Sequence, residues 1–232
     1  MPKTIAIIQS NYIPWKGYLD IIRRCDEFVL YDEVQYTRND WRNRNRIKTS
    51  DGVRWLSIPV KVKGRYYQRI DEAEIQDAGW AAEHLKTLYH AYRRAACFDA
   101  VYPRLAALYE RAASETMLSQ VNYLFLRGLC DMLGIQTPLT WSAQYASSGT
   151  KSEKLASICA SAGATTYLSG PAAQAYLDPA EFTARGVEVR YMSYEGYPEY
   201  PQLYPPFEHA VSVVDLLFNT GDDAPRYLLP WP

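Results

Sequence analysis

The stretch TIAIIQSNYIPWKGYLDIIRRCDEFVLYDE, residues 4–33, decides the fold. Its start, TIAII, is a short apolar run rich in β-branched residues, which is typical of a buried parallel strand. WKGYLDIIRRC follows with apolar residues at helical spacing, and EFVLYDE returns to a strand that ends at Asp32. Strand, loop, helix and strand form a βαβ unit, which requires a parallel sheet. The sequence therefore predicts an α/β fold with a Rossmann-like sheet.

The rest of the sequence predicts an insertion, followed by a second region in which strands and helices alternate. WRNRNRIKT and VRWLSIPVKV flank an Asp-Gly turn, which indicates a β-hairpin. YYQRIDEAEI reads as a further strand, and three helical segments follow it. Strands and helices alternate again after about residue 136, before the proline-rich loop EGYPEYPQLYPPF and a final helix. We expect one α/β domain over 1–232, with a hairpin and helical insertion at 38–135 and a proline-rich loop and helix at 196–232.

Composition narrows the class of protein. The chain has 25 Lys and Arg against 26 Asp and Glu, so we expect no nucleic-acid partner. No apolar stretch approaches the roughly 20 residues that span a bilayer, and no signal peptide is apparent, so a cytoplasmic protein without a membrane partner is expected. The 4 cysteines are expected in the core, with a nucleophile among them left open. The 3 histidines lack metal-ligand spacing, so no metal site is predicted.

The loop after the first strand is the first candidate site. Ligands of doubly wound folds bind at the carboxyl ends of the strands, where this loop meets the first helix. Enzymes that transfer nucleotidylyl groups place His-x-Gly-His in this frame, whereas this chain has Trp15-Lys16-Gly17-Tyr18. Neither Trp nor Tyr carries a positive charge to stabilise a phosphoryl transition state. The candidate residues of this loop are Gln9, Asn11, Tyr12, Trp15 and Gly17.

Three further groups of residues are candidates. Asp32 and Gln35 follow the second strand, and the alternation of RNRNR predicts Arg42, Arg44 and Arg46 on one face with Asn43 and Asn45 on the other. A helical stripe contains Trp80 and His84; the histidine is either a general base or a satisfied structural residue. The closing segment contributes Gln202, Asp215 and Asn219, in a loop that is either a fixed lid over the sheet or a rigid connector.

These blocks, with WLSIPV, HLKTLYHAYRRAACF and TYLSGPAAQAYL, resemble the WbqC-like protein family over about residues 5–219. The resemblance implies a nucleotidylyl-transferase type of fold and a role in bacterial surface-polysaccharide or specialised-metabolite gene clusters. It also marks Pro14, Trp41 and Ser212 beside the candidates above. One departure from the family pattern is Ala95-Ala96-Cys97-Phe98, where a turn with a proline is expected.

The leading functional hypothesis is a transferase that forms an amide. It would move an acyl or aminoacyl group from a thioester donor to an amine on a sugar nucleotide or small metabolite. His84 would be the base, Asp32 would orient it or the amine, and Gln9 or Asn45 would bind the carbonyl. The chain itself would hold no cofactor, while the donor could be a phosphopantetheine thioester on an acyl carrier protein. The alternatives are a divergent nucleotidylyl transferase using Lys16 and Arg44, and a non-catalytic module that binds a nucleotide sugar or a carrier protein.

Overall fold

A computed structural model of the chain describes residues 1–230. Five of its strands form a parallel sheet in the order β5-β2-β1-β6-β7, and two form a separate antiparallel hairpin. This confirms the predicted α/β fold, and the reversal of strand order between β1 and β6 is the pattern of a Rossmann-like sheet. The strands are β1 Thr4–Ile8, β2 Glu27–Leu30, β3 Arg44–Thr49, β4 Gly52–Ser57, β5 Leu139–Trp141, β6 Thr166–Ser169 and β7 Glu188–Tyr191.

Alternate residues of the sheet face two separate cores, as the two-residue period of a strand requires. Ala6 and Phe28 pack on the side of the first helix and the insertion. Ile5 and Val29 pack on the other side, against residues such as Phe182. The helices are α1 Lys16–Arg23, α2 Gly79–Tyr92, α3 Phe98–Ala112, α4 Leu118–Met132, α5 Lys151–Ser161, α6 Pro179–Thr183 and α7 Val213–Thr220.

The insertion between β2 and β5 contains the hairpin and helices α2 to α4. The predicted alternation along RNRNR is confirmed, since Asn43 and Asn45 are buried while Arg42, Arg44 and Arg46 are only partly covered. The strand predicted for YYQRIDEAEI is wrong. Residues 70–72 form a single 3-10 turn there, because this segment bonds back to the loop after β2, with Ile70 N–H donating to the Val34 carbonyl and Asp71 N–H to the Asp32 carbonyl.

The segment 192–211 connects β7 to the start of α7, and we call it the strap. Its Pro198 carbonyl accepts a hydrogen bond from Lys16 Nζ at 2.9 Å, and its Tyr204 hydroxyl donates to the Ala91 carbonyl at 3.1 Å. The strap is therefore fixed to both α1 and α2. None of the helices in residues 1–230 has the length and apolar character needed to cross a bilayer.

Candidate active site at the carboxyl edge of the sheet

The loop after β1 is enclosed on both sides. The Tyr12 N–H donates to the Trp41 carbonyl at 3.0 Å, and the Val213 N–H donates to the Pro14 carbonyl at 2.8 Å. The Asn45 side chain donates to the Tyr12 carbonyl at 3.1 Å. The loop therefore lies between the hairpin and the start of α7. A cavity of about 280 Å³ opens beside it, the first-loop cavity, lined by Asn11, Pro14, Trp15, Trp41, Asn45, Arg46 and Ala210.

Arg42 organises the polar residues at the end of β1. Its guanidinium donates to the side-chain oxygens of Asn11 and Gln9. The Gln9 carbonyl in turn accepts the Tyr18 hydroxyl at 2.8 Å. Gln9 and Asn11 thus lie side by side, and both bind a cation of the protein itself, Arg42. Of the two, only Asn11 lines the first-loop cavity.

Trp15 forms one wall of the first-loop cavity and is held by its neighbours. Its ring contacts Tyr194 and Tyr197 of the strap edge to face, at centroid distances of 5.0 and 5.8 Å. Gly17 lies directly behind it, because a Cβ at that position would be 2.3 Å from the Trp15 ring. Gly17 is therefore required for the close approach of the indole to α1.

The exposed face of the hairpin carries arginines interleaved with tryptophans. Arg44 stacks on Trp55 at 4.2 Å from the ring centroid, and Arg46 lies 5.8 Å from both Trp41 and Trp55. The two indole centroids are 5.4 Å apart. A cavity of about 320 Å³, the hairpin cavity, is lined by Asn39, Asp40, Trp41, Arg44, Arg46 and Trp55.

Asp32 lies in a different cavity, at the carboxyl ends of β2 and β5. Its Oδ1 accepts the Ser10 N–H at 2.7 Å, whereas Oδ2 is buried with no partner in residues 1–230. Burial raises the pKa of Asp32 to about 6, and nearby Asp71 adds to the rise, against the opposing effect of Ser10 and Arg42. This Asp32 cavity has a volume of about 240 Å³ and is lined by Asp32, Glu33, Asp71, Met117, Ser119, Gln120, Trp141, Ser142 and Ala143.

The first turn of α4 also lines the Asp32 cavity. The helix begins at Leu118 with no side-chain cap, and the backbone N–H groups of Ser119 and Gln120 donate to no acceptor in the described chain. Such free N–H groups, with the positive end of the helix dipole, stabilise negative charge. The cavity thus combines a carboxylate that can take up a proton with donors that can bind an oxyanion.

His84 lies apart from all three cavities. Its Nδ1 is 2.9 Å from the Tyr12 hydroxyl, which is 2.5 Å from the Tyr109 hydroxyl, and Trp80 packs on the same group. His84 is only 7% exposed, and this burial lowers its pKa to about 4, against the effect of a hydrogen bond to the Ser57 backbone. Of the two predicted alternatives, the satisfied structural histidine fits this placement. Tyr12 and Trp80, predicted to bind substrate, belong to the same buried cluster.

The candidates of the closing segment form another buried group. Asp215 accepts hydrogen bonds from Tyr92 at 2.8 Å, Tyr200 at 2.6 Å and Gln202 at 2.8 Å. Asn219 donates to the Asp215 carbonyl at 2.7 Å. Desolvation raises the pKa of Asp215, against the three donors that favour its ionised form. These residues connect the strap to α2 and α7 and line none of the three cavities.

Two remaining predictions concern Gln35 and Lys16. Gln35 is exposed and donates to the Tyr66 carbonyl at 3.1 Å, outside the cavities. Lys16 is buried, with its ammonium 5.0 Å from the Tyr197 centroid and 5.3 Å from that of Tyr200. Burial lowers its pKa to about 8, against the nearby Glu199. Residues 1–230 contain no group of three or more His, Cys, Asp or Glu side chains arranged to hold a metal ion.

Ser119, Gln120 and Asp71 were missed by the sequence reasoning. Ser119 and Gln120 begin a helix far along the chain from Asp32, and Asp71 lies in the segment mistaken for a strand. The only local signal was the polar Ser-Gln pair at the start of an apolar helix. Pairing it with Asp32 requires knowing how the insertion folds back on the sheet.

Comparison with known proteins identifies the family. The model of the WbqC-like protein family matches residues 9–227. The chain is 47% identical over 226 residues to the "Uncharacterized protein Rv1507c" of Mycobacterium tuberculosis (strain ATCC 25618 / H37Rv), covering 97% of each chain. No solved structure matches the chain.

Proposed function

The chain belongs to the WbqC-like protein family, and from that premise we propose that it is a transferase that forms an amide. It moves an acyl or aminoacyl group from a thioester donor to an amine on a sugar nucleotide or small metabolite. One observation carries the proposal: Asp32, a buried carboxylate with one oxygen unpartnered in residues 1–230, shares a cavity with the uncapped first turn of α4.

The Asp32 cavity supports the binding of an amine. Asp32, Glu33 and Asp71 together attract an ammonium group. Glu33 is already engaged by the Ser142 hydroxyl at 2.9 Å, and Asp71 by Arg69 at 2.9 Å. The proposed partner of the substrate ammonium is Oδ2 of Asp32, which is buried and has no partner within residues 1–230. A carboxyl group with a pKa of about 6 is mostly ionised at neutral pH and close to the optimum for a general base.

The proposed step balances without a metal or ATP. Asp32 takes a proton from the ammonium, and the freed amine attacks the thioester carbonyl carbon, so that a C–N bond forms. The carbonyl oxygen becomes an oxyanion, for which the N–H groups of Ser119 and Gln120 are the proposed donors. Collapse of this intermediate breaks the C–S bond, the nitrogen releases its second proton to solvent water, and the thiolate leaves with the proton that Asp32 holds. The donor thiol is of the phosphopantetheine type, free or on an acyl carrier protein.

This proposal moves the base from His84 to Asp32. His84 is neutral, enclosed by aromatic rings and bonded to Tyr12, so it has no route to a substrate in the Asp32 cavity. The side chain of Gln9 accepts a hydrogen bond from Arg42, and the side chain of Asn45 donates one to the Tyr12 carbonyl. Their proposed part is to fix the loop after β1 rather than to bind the reacting carbonyl.

The test is amide formation from acyl and aminoacyl thioesters with amino-sugar nucleotides and simple amines, followed by mass spectrometry. Asp32→Asn keeps an acceptor for the Ser10 N–H but removes the base, so we expect the rate to fall about 10²- to 10⁴-fold. Asp51→Asn, in the exposed hairpin turn, is the matched control and should retain the wild-type rate. An Asp32→Asn enzyme with undiminished turnover would refute the base role.

The same screen addresses nucleotidylyl transfer. That chemistry requires cationic groups at the nucleotide phosphates. Lys16, one of the two residues suggested for it, instead donates to the strap and lies against tyrosine rings. Release of pyrophosphate from a nucleoside triphosphate with magnesium, without amide formation, would replace the proposed activity with that one.

A further inference from the structure

We infer that the Arg–Trp face of the hairpin, formed by Trp41, Arg44, Arg46 and Trp55, binds the diphosphate and ring of a nucleotide. The ligand class is a nucleoside diphosphate or its sugar ester. That this nucleotide is also the amine acceptor rests on the proposed function. That the Arg–Trp face binds a nucleotide does not. This face is separate from the Asp32 cavity, which lies beyond the end of β2.

Arg44 and Arg46 form no ion pair in residues 1–230, although the charge of Arg44 acts on nearby Asp40. Neither arginine forms a side-chain hydrogen bond within the same residues. Their Nε atoms are buried from solvent yet unpartnered. A buried donor without an acceptor is unfavourable, and phosphate oxygens match the forked geometry of guanidinium. Two such groups on one face suit a ligand with two adjacent negative charges.

The position of these residues follows from strand geometry. Arg44 and Arg46 are two residues apart on β3, so they lie on the same face. Arg46 pairs directly with Trp55 in the antiparallel register. The other face of β3 is anchored by buried Asn45 and Ile47. The face is thus supported by regular structure and the buried core rather than by a loose loop.

The aromatic rings provide the second half of the site. Trp41 and Trp55 are each 41% exposed, although indole is among the most hydrophobic of side chains. Trp41 and Arg46 line both the hairpin cavity and the first-loop cavity. A ligand with its phosphates at Arg44 and Arg46 therefore has an indole surface within reach for its base. Base stacking on aromatic side chains is tolerant of base identity.

Asp40 is the one carboxylate that lines the hairpin cavity within the described residues 1–230, and its charge is compensated. It accepts the Thr37 hydroxyl at 2.7 Å and the Trp41 N–H at 2.7 Å, and lies 3.8 Å from Arg42. Arg44 also lowers the pKa of Asp40, but from beyond ion-pair distance. Within residues 1–230, Arg44 and Arg46 are therefore the guanidinium groups of the hairpin cavity that have no ion-pair partner.

The experiment is isothermal titration calorimetry with UDP and ADP, using uridine, adenosine and inorganic pyrophosphate as partial ligands. The wild-type chain is compared with Arg44→Gln, Arg46→Gln and Trp41→Ala. Arg54→Gln is the matched control, because Arg54 is an exposed arginine of the same hairpin that lines neither of the two cavities. Circular dichroism checks that each variant is folded.

We expect the diphosphates to bind and each arginine variant to weaken binding about tenfold or more, with Arg54→Gln unchanged. Binding should fall as salt rises, and nucleosides or pyrophosphate alone should bind more weakly than UDP. Absence of binding at millimolar nucleotide, or an equal loss in Arg54→Gln, would refute the site. Pyrophosphate that binds as tightly as UDP would refute the ring contact. Nucleotide binding without amide formation would leave this site standing and count against the proposed transferase.

Discussion

The buried groups His84 and Asp32 predict opposite responses of stability to acid. The pKa of His84 falls from 6.5 to about 4 in the folded chain. Between these values the unfolded chain binds the proton and the folded chain does not, so stability is lost as pH falls from about 6.5 to 4. At about 1.4 kcal/mol per unit, this costs about 3 kcal/mol.

Asp32 acts in the other direction. Its pKa rises from 3.8 to about 6, so the folded chain binds the proton first and gains stability as pH falls through this window. The gain is also about 3 kcal/mol. In the wild-type chain the two contributions nearly cancel, and only variants separate them.

The assay is urea unfolding of His84→Gln and Asp32→Asn between pH 7 and pH 4. Relative to wild type, His84→Gln should gain about 3 kcal/mol in its free energy of unfolding across this range, and Asp32→Asn should lose about as much. Glutamine is chosen because its amide can still form a hydrogen bond with the Tyr12 hydroxyl. His90 is exposed on the same helix, so His90→Gln controls for the loss of a histidine. A His84→Gln variant with the wild-type pH dependence, or a His84 imidazole that titrates near 6.5 by NMR, would refute the buried neutral histidine.

Three further predictions concern the surroundings of the site. Asp215→Ala should cost about 3–5 kcal/mol in urea unfolding, because two buried tyrosine hydroxyls and the partly buried Gln202 amide lose their acceptor. It should also make the strap sensitive to limited proteolysis, and a strap that stays protected would contradict this. Gly17→Ala should lower stability by about 1–3 kcal/mol in thermal unfolding and change Trp15 fluorescence, because the new Cβ meets the indole. Gly79→Ala is the control: the nearest atom to its new Cβ is at 3.2 Å, and neither effect is expected. Native protein should react rapidly with Ellman's reagent at Cys97 alone, because the other three cysteines are buried and have raised thiol pKa values. If mass spectrometry detects more than one labelled cysteine, the core opens.

The sequence was informative where a local pattern determines structure. The run TIAII and the helix after it predict the βαβ unit, and the alternation around Asn45 predicts which side of β3 is buried. His84 could not be placed in this way. A stripe at helical spacing shows that a face is covered, but not whether the histidine on it reaches a cavity or another buried hydroxyl.

The candidate site was only partly predictable for the same reason. Asp32, Asn11 and Trp15 follow from the rule that ligands bind at the carboxyl ends of parallel strands. The first turn of α4 reaches Asp32 only through the path of the insertion, and no short-range pattern encodes that path. Asp215 was placed with the site, yet its three donors show that it holds the strap.

The loop after β1 is enclosed by the hairpin and by Ser212 and Val213, whose N–H groups donate to the Arg46 and Pro14 carbonyls at 2.7 and 2.8 Å. During translation the loop leaves the ribosome well before its last neighbours, which follow roughly 200 residues later. At synthesis rates of about 5–20 residues per second, the loop waits on the order of ten seconds or more for its final contacts. A nascent chain stopped before α7 could form the hairpin but would leave the first-loop cavity open on one side. Completion of this cavity therefore waits until roughly 200 further residues have been synthesised after the loop.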